Sequence, residues 1–516
     1  MIKHCVKSPI TYILIAALLY LSWLGFQNTD IVSLSSTDID AYAFIGVYIK
    51  LWNGLLQHSP KEIMAYCFYN YGWVYFLFNT LLIAPFLLLK KWSLIIFIPR
   101  LLSILPAIAT VAVLYNVCRL ALDKATSTGL ALLILTMPFF WTTALLTHPD
   151  WIMTLFLSLA IWDLFKDNLQ GEKQYRNFVV YMGLAIAFKL QGLTFLPLLG
   201  ACLFFSNHTF TQKIKKLSLS LISILGLYLV INPYLIHPRG LNAFLFVLKE
   251  NLESNATNHG SGIHVSLIEK IQFVLLKGYY NIPLLILITC LLLVYTGLII
   301  NKNLLKLEKN NYTLPSILSG TILLNIGYLF LKVNKLWEHY YASCMVLSVL
   351  LLGAALSEIS HKKRHIIIAI LCSIQIISFF PHYIDIINSG SKFKKESQFQ
   401  HENSDFILSH IQVDQTTQIL ISSGLGIDFP KIGLNFDQLH VSYGDLKQGT
   451  VDRQAFKLEN PQKSETELSS SFITYDYLIL KKKGKPQTLL TMLKTGVFNY
   501  KLAAENQKIY IFRKID

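Results

Sequence analysis

The sequence has little charge for its length. Only 15% of the 516 residues are Asp, Glu, Lys or Arg, against roughly 25% in a typical soluble domain, while 53% are hydrophobic. Successive apolar runs of about 18 residues, long enough to span a bilayer as helices, alternate with short basic loops. This pattern argues against a soluble globular protein and predicts a polytopic membrane protein.

The chain is also poor in cysteine. It has seven, mostly within apolar runs, without a Cys-x-x-Cys pair and with none after Cys372. A disulfide framework or a structural zinc site is therefore not expected. His237, His259 and His264 are scattered without the spacing of metal ligands, so no metal site and no cofactor is predicted, and a divalent cation is left open.

The net charge of +15 is concentrated in a few short loops. The most basic are 213–216, 302–309 and 361–365, the last reading "HKKRH". In membrane proteins such loops lie in the cytoplasm. The positive charge therefore indicates membrane orientation, and no nucleic-acid partner is expected.

Assigning the basic loops to the cytoplasm predicts about 11 transmembrane helices, with the N-terminus inside and the C-terminus outside. The first run, 10–26, is too long for a removable signal peptide and is interpreted as an anchor. The run 178–206 is basic at both ends, so it is predicted to contain two short spans around Gln191. The run 71–89 would reverse the orientation of every later helix, so it is predicted to be interfacial or re-entrant.

The predicted fold class is an all-α polytopic membrane domain followed by a small extracytoplasmic α/β domain. The membrane domain covers 1–390, and its external loop 28–92 carries interfacial helices. Residues 391–516 are more polar. There, 404–411 and 486–494 are predicted to be helices, and strands are predicted at 418–423, 439–443, 475–480 and 508–514.

Three acids fall at outer helix ends in this topology: Asp38 and Asp40 in "SSTDIDAYAF", and Asp150 in "LLTHPDW". One interpretation is structural, because loop acids often cap helices, and Asp40 precedes a helix that begins at Ala41. The other is chemical: one carboxylate deprotonates an acceptor hydroxyl at the membrane surface, and a second acid orients the base or a metal. The spacing alone leaves both interpretations open.

The stretch "DIDAYAF", followed by an amphipathic helix, resembles the first external loop of the GT-C glycosyltransferases. This superfamily includes the protein O-mannosyltransferases and the lipid A aminoarabinose transferase. Four further segments resemble the family in the same order: "IPRLLSILPAIATVAVLYNVCRLAL", "THPDWIMTLFLSLAIW", "GLAIAFKLQGLTFLPLL" and "INPYLIHP". Together the resemblance covers residues 10–385.

The resemblance implies an inverting transferase that moves a sugar from a polyprenyl-phosphate donor to a lipid, glycan or protein acceptor. In the family the catalytic base is an Asp with an aromatic residue four positions later, as in Asp38 and Tyr42. The acidic neighbour of the base is displaced here to Asp40, so either carboxylate is a candidate. Asp150 resembles the second external Asp of the family, and Tyr42, Tyr69 and Tyr340 are expected to contact substrate.

A donor phosphate requires cations near the outer face. The predicted ligands are Lys90, Lys91, Arg100, Lys189, Arg239, Lys335 and His339. The alternative for each is snorkelling at the membrane interface. Lys189 lies in the broken span, where a buried lysine is costly unless it is paired.

The rival function is a lipid or solute transporter, such as a flippase. A transporter buries ionisable groups near the middle of the membrane and often contains inverted repeats. Here the acids cluster at outer helix ends and no repeat is visible, which favours the transferase. The predicted location is the bacterial cytoplasmic membrane, and the predicted partners are the sugar donor, the acceptor and membrane lipids.

Overall fold

The chain was analysed as a computed structural model. The structure describes residues 9–64, 68–167, 171–206, 208–257, 264–300, 313–412, 417–422, 425–428, 440–444, 476–482, 494 and 500–515. His259, the basic loop 302–309 and nearly all of the predicted helix 486–494 lie outside these residues.

The described part is mostly helical. The first helices are α1 (Pro9–Gln27), α2 (Ile31–Thr37), α3 (Ile39–Leu56), α4 (Pro60–Met64), α5 (Trp73–Leu88), α6 (Trp92–Cys118), α7 (Lys124–Leu135), α8 (Pro138–Ala144), α9 (Asp150–Asp167) and α10 (Glu172–Phe188). Then follow α11 (Leu196–Phe204), α12 (Phe210–Ile231), α13 (Pro238–Thr257), α14 (Leu267–Phe273), α15 (Ile282–Ile300), α16 (Thr313–Lys332), α17 (Glu338–Ser357), α18 (His361–Ile387) and α19 (Ser389–His410). Short 3-10 segments cover Leu190–Phe195 and Pro233–Ile236, and a π-helical turn covers Val274–Tyr279.

The apolar runs form helices, and the chain is an integral membrane protein. Within the described residues, six helices are long and apolar enough to span a bilayer, or up to eight if each of two bent pairs is one span. The bends are 63° between α7 and α8, and 113° between the α14 segment, which extends to Tyr279, and α15. The predicted count of about 11 spans is therefore not confirmed.

The shortfall has a physical cause in the middle of the chain. Helix α9 has only 18 residues, and its sequence includes Asp150, Asp163 and Lys166. Helix α10 has 17 residues and begins with a charged turn, and α11 has nine. The predicted break in 178–206 is present, because α10 ends before Lys189 and a 3-10 turn separates it from α11. Neither helix is long enough to span a bilayer alone.

Helix ends follow local sequence. Asp30 accepts hydrogen bonds from the backbone of Val32 and Ser33 and so begins α2, and Asp123 caps α7 through Thr126. Capping boxes begin α12 and α14. Such caps satisfy amide groups that have no partner within the helix.

Two apolar clusters hold the membrane part together. The larger joins α1, α6 to α12 and α15 to α18. The smaller is aromatic and is formed mainly by residues between Ile31 and Ile96, where Phe44 packs edge-to-face on Phe76 at 5.1 Å. Helix α5 belongs to this second cluster. With 16 residues it is shorter than a typical span, and its predicted interfacial or re-entrant position stays a prediction.

The C-terminal region contains a five-stranded sheet. Its strands are β1 (Gln418–Ser422), β2 (His440–Gly444), β3 (Tyr477–Lys481), β4 (Tyr500–Glu505) and β5 (Ile509–Lys514), in the order β2-β1-β3-β5-β4. Strand β1 runs parallel to β2 and β3, and β5 runs antiparallel to β3 and β4. The end of α19 packs on the sheet through Ile407 and Ile411. The α/β class is confirmed, β4 was not predicted, and the predicted boundary at Ser391 falls within α19.

Candidate active site

Asp38 lies at the junction of two helices. Its backbone N–H donates to Leu34 O at the end of α2, and its carboxylate accepts from Ala41 N, at 3.0 Å, at the start of α3. The expectation that Asp40 caps this helix is therefore wrong. Asp38 is the N-cap because its side chain lies three residues before the amide that it accepts from.

Asp38 also forms a buried ion pair with Arg100 on α6. Arg100 Nη2 lies 3.4 Å from Asp38 Oδ2, and Nη1 donates to the carbonyl groups of Gly25, at 3.3 Å, and Asn28. Both charged side chains are almost fully buried. The pair thus ties the end of α1, the α2–α3 junction and α6 together.

Asp40, two residues later, begins a second chain of contacts. Its Oδ2 lies 3.2 Å from Nε2 of His148, and Nδ1 of His148 lies 3.6 Å from Oδ2 of Asp150. Asp150 in turn accepts a short hydrogen bond from Lys189. The side chain of Asp40 is 42% exposed, whereas those of His148, Asp150 and Lys189 are buried. Of the two carboxylates in this series of contacts, Asp40 is therefore the one that an external molecule can reach.

The backbone around the buried members is fixed by long-range hydrogen bonds. Ser103 Oγ, on α6, donates to the His148 carbonyl at 2.9 Å. Tyr71 and Lys189 form an isolated β-bridge, in which Gly72 N donates to Phe188 O at 2.9 Å. A Cβ at Gly72 would lie 2.5 Å from the Ala187 carbonyl oxygen, so this approach requires glycine. The bridge holds Lys189 at the break between α10 and the 3-10 turn.

A second group of side chains lies beside these four residues, on the segment that joins α16 to α17 and at the start of α17. The rings of His148 and His339 are 4.9 Å apart. Lys335 Nζ lies 4.5 Å from the centre of the Trp337 ring. Burial lowers the pKa of Lys335 to about 8, although the charge of Asp40 acts in the opposite direction. His339 Nε2 is buried without a hydrogen-bond partner among the described residues.

The structure brings some predicted phosphate ligands together and leaves others apart. Lys189, Lys335 and His339 lie around Asp40, His148 and Asp150. By contrast, Arg100 faces Asp38, and Arg239 is exposed at the start of α13.

Lys90 and Lys91 are exposed at the turn before α6. Lys91 precedes Ser103 by twelve residues, so it lies about 18 Å away along the helix axis. The phosphate-binding roles of all seven residues stay predictions.

The three predicted substrate tyrosines have different surroundings. Tyr340 lies beside the site: its ring centre is 5.5 Å from Lys189 Nζ, and its hydroxyl donates to Asn255 at 3.3 Å. Tyr69 packs on Tyr234 with ring centres 4.7 Å apart. Tyr42 is buried in the aromatic cluster.

Two residues of the site were missed by the sequence analysis. His148 connects two of the predicted acids, and Tyr71 places its hydroxyl 3.4 Å from His148 Nδ1. The signal for His148 was present in "LLTHPDW", since a histidine two residues before a predicted functional acid lies within reach of it. Tyr71 gives no comparable signal, because its position depends on the bridge to Lys189.

One group of three possible metal ligands is present among the described residues, far from this site. Asp123 caps α7 and lies 3.6 Å from His361 and 3.1 Å from His365, at the start of α18. Arg364 is 3.5 Å from the same carboxylate. Asp123 is thus surrounded by basic groups, an arrangement that opposes a divalent cation.

Comparisons with known proteins agree with this architecture. Residues 70–246 match the family described as dolichyl-phosphate-mannose-protein mannosyltransferase. This range contains Tyr71, His148, Asp150 and Lys189. No curated protein sequence matches the chain.

Solved structures extend the comparison to the whole chain. ArnT from Cupriavidus metallidurans bound to undecaprenyl phosphate aligns with a TM-score of 0.57 at 12% identity, covering 97% of each chain. The apo state of that protein gives 0.55 at 11%, with the same coverage. An oligosaccharyltransferase from Archaeoglobus fulgidus, in complex with Zn and sulfate, gives 0.46 at 13%, covering 93% of this chain and 69% of that chain.

At such low identity, the likeness to ArnT establishes a common fold. The family match contributes the enzyme class, which is glycosyltransferase. Together, the fold and the match over residues 70–246 make this chain similar to the GT-C membrane glycosyltransferases.

Proposed function

We propose that the chain is an inverting glycosyltransferase that moves a sugar from a polyprenyl-phosphate donor to an acceptor hydroxyl outside the cytoplasm. The observation that carries this proposal is the chain of contacts Asp40–His148–Asp150–Lys189, with one exposed carboxylate at its end. An accessible carboxylate beside buried cations is what acceptor activation next to a phosphate leaving group requires.

Within this site, Asp40 is the better candidate for the general base. A base must come within about 3 Å of the proton that it removes. Asp40 is partly exposed, whereas Asp38 is buried against Arg100 and occupied as a helix cap. Asp38 is therefore assigned a positioning role, although its spacing to Tyr42 resembles that of the family base.

His148, Asp150 and Lys189 orient Asp40. Lys189 neutralises Asp150, and Asp150 lies on the far side of the His148 ring from Asp40. The ring is also held through its backbone by Ser103. An imidazole fixed in this way keeps the reactive carboxylate in one orientation, which general-base catalysis needs.

Lys335 and His339 are the proposed phosphate ligands. Lys335 is placed on the connecting segment beside Asp40, and its ammonium group attracts the donor phosphate. The buried Nε2 of His339 has no hydrogen-bond partner among the described residues and is suited to a phosphate oxygen. Hydrogen bonds from cations to phosphate are among the stronger kinds in proteins.

The proposed reaction is a single displacement. Asp40 takes the proton of the acceptor hydroxyl, whose oxygen forms a bond to the anomeric carbon. The bond between that carbon and the phosphate oxygen breaks, and polyprenyl phosphate leaves with the electron pair. Because attack and departure occur on opposite faces, the anomeric configuration is inverted.

Two observations support the donor class and the membrane side. The ArnT structure with the same fold is bound to undecaprenyl phosphate. Helix α6 passes the site at Ser103 and ends at Cys118, about 22 Å further along its axis. This end lies near the basic "HKKRH" segment, whose side chains contact Asp123. By the positive-inside rule, this end is cytoplasmic, so the site faces outward, in the proposal across the bacterial cytoplasmic membrane.

Replacing the proposed base tests this assignment. Asp40→Asn keeps the size of the side chain but removes its basicity, so we expect sugar transfer by the purified protein to fall by roughly 10²–10⁴-fold. Thermal unfolding should stay near wild type, because the side chain is partly exposed. Transfer near the wild-type rate in Asp40→Asn would rule out Asp40 as the base.

A further inference from the structure

We infer that the C-terminal region holds the catalytic loop in position, and that His401 on α19 is the positioning residue at this contact. The inference rests on the proposed function, because it gives the loop of Asp38 and Asp40 its catalytic role. It adds a task for the C-terminal region that neither the fold nor the family match assigns.

The contact is polar and is made by side chains from both regions. His401 Nε2 lies 3.3 Å from Asp30 Oδ1, and His401 Nδ1 lies 3.3 Å from Asp428 Oδ2. Ser397, one turn earlier on α19, donates its hydroxyl to Asp30 Oδ2 at 2.8 Å. His401 therefore connects a carboxylate of the membrane part with one of the C-terminal region.

The carboxylate that His401 contacts begins the catalytic loop. Asp30 accepts from the backbone N–H groups of Val32, at 3.2 Å, and Ser33, at 3.1 Å, and so caps α2. Helix α2 has seven residues and ends at Asp38, with Asp40 two residues beyond. A movement of Asp30 is thus transmitted through one short helix to both acids.

A second contact joins the C-terminal region to α2. Gly426 N donates to Gln400 on α19, at 3.1 Å, and a Cβ at Gly426 would lie 1.8 Å from the Val32 carbonyl oxygen. The backbone around Gly426 therefore lies directly against α2, at a distance that no other residue type tolerates. Together, the two contacts fix α2 from its cap and from its side.

The chemistry at His401 suits a coupling between the two regions. An imidazolium has a donor at each ring nitrogen, so it can bind Asp30 and Asp428 together. A neutral imidazole has one donor, so it can donate to only one of these two carboxylates at a time. The two acids from different regions therefore share one imidazole ring.

The inference is tested with His401→Leu and Gly426→Ala in the full-length protein. The first removes the shared imidazole ring, and the second forces the backbone around Gly426 away from Val32. The matched control is His410→Leu, on the same helix, since His410 Nδ1 lies 2.8 Å from Phe406 O of its own helix. Each protein is measured for sugar transfer and for amide hydrogen exchange at residues 31–45.

We expect faster exchange at 31–45 in both variants, and a fall in kcat of about 10- to 100-fold, since a displacement near 1 Å costs about that much. The donor KM should change less than two-fold, because the phosphate ligands lie on other segments. The control should match the wild type. Unchanged exchange, or faster exchange with unchanged kcat, would overturn the inference.

Failure of the proposed function would give a different result. It would appear as no transfer by the wild-type protein from any polyprenyl-phosphate sugar, with the contacts of His401 intact. Hydrogen exchange in the His401 and Gly426 variants does not depend on the identity of the base. The two claims therefore fail separately.

Discussion

At the scale of single residues, two carboxylates separated by one residue have opposite environments. Asp38 is enclosed by Arg100 and the end of α1, whereas Asp40 reaches the surface and contacts His148. The helical turn that begins at Asp38 directs one side chain inward as a cap and the other outward. Burial, more than position in the sequence, is therefore the reason for proposing Asp38 as a structural acid and Asp40 as the base.

The proposed role of Lys335 as a phosphate ligand predicts that donor binding depends on pH. Its pKa is lowered to about 8 by burial, so the ammonium group is charged at pH 7 and loses its proton as the pH rises through about 8. We expect the donor KM to rise by up to about ten-fold between about pH 7 and pH 9, since one unit above the pKa about a tenth of the charge remains. Steady-state kinetics across this range measures the effect.

The control for this prediction is Lys335→Arg, whose guanidinium stays charged throughout the range. The donor KM of this variant should be nearly constant between pH 7 and pH 9. Lys90→Arg, a change at an exposed position distant from the site, should keep the wild-type profile. A wild-type KM that does not change with pH would exclude Lys335 as a phosphate ligand.

At the scale of helices, we propose a structural role for Asp38, because it connects three helices. It ends α2, begins α3 and neutralises Arg100 of α6. Asp38→Asn preserves a good cap but leaves the buried guanidinium without a counter-charge. Removing one partner of a buried pair costs roughly 3–5 kcal/mol, so we expect a clear fall in the thermal unfolding midpoint.

Asp40→Asn is the reference for that measurement, because the side chain of Asp40 is 42% exposed and an asparagine oxygen can still contact Nε2 of His148. Its unfolding midpoint should stay near the wild type while its activity is lost. Asp38→Asn should show the reverse order of effects, with stability affected first. Equal stability of both variants would contradict the assignment of Asp38 as a structural joint.

The sequence predicted helices better than it predicted spans. Long apolar runs such as those of α6, α16 and α17 depend only on local composition, and these helices were found. The predicted count is not confirmed at α9 and α10, because charged residues near the ends of these helices shorten their apolar stretches. In the site, the three acids were predicted at outer helix ends, but the connection of Asp40 to Asp150 by His148 depends on tertiary contacts between α3, α6 and the break after α10.

At the scale of the whole molecule, the C-terminal region contacts the segment that begins at Asp30 and leads to Asp38 and Asp40. The C-terminal sheet is connected through α19 to Asp30, at the start of the catalytic loop. Arg364 and His365 of the basic "HKKRH" segment contact the Asp123 carboxylate, at the other end of α6. Burial alone would raise the pKa of Asp123, but hydrogen bonds from Thr126 and the contact with His365 hold it well below its usual value.

The central claim is that this protein transfers a sugar from a polyprenyl phosphate with inversion. The most direct test is to incubate the purified full-length protein with synthetic undecaprenyl-phosphate sugars and envelope acceptors, and to determine the anomeric configuration of the product by NMR. We predict transfer, with product and donor of opposite configuration and with release of undecaprenyl phosphate. A product that retains the donor configuration, or no transfer from any polyprenyl-phosphate sugar, would contradict this mechanism.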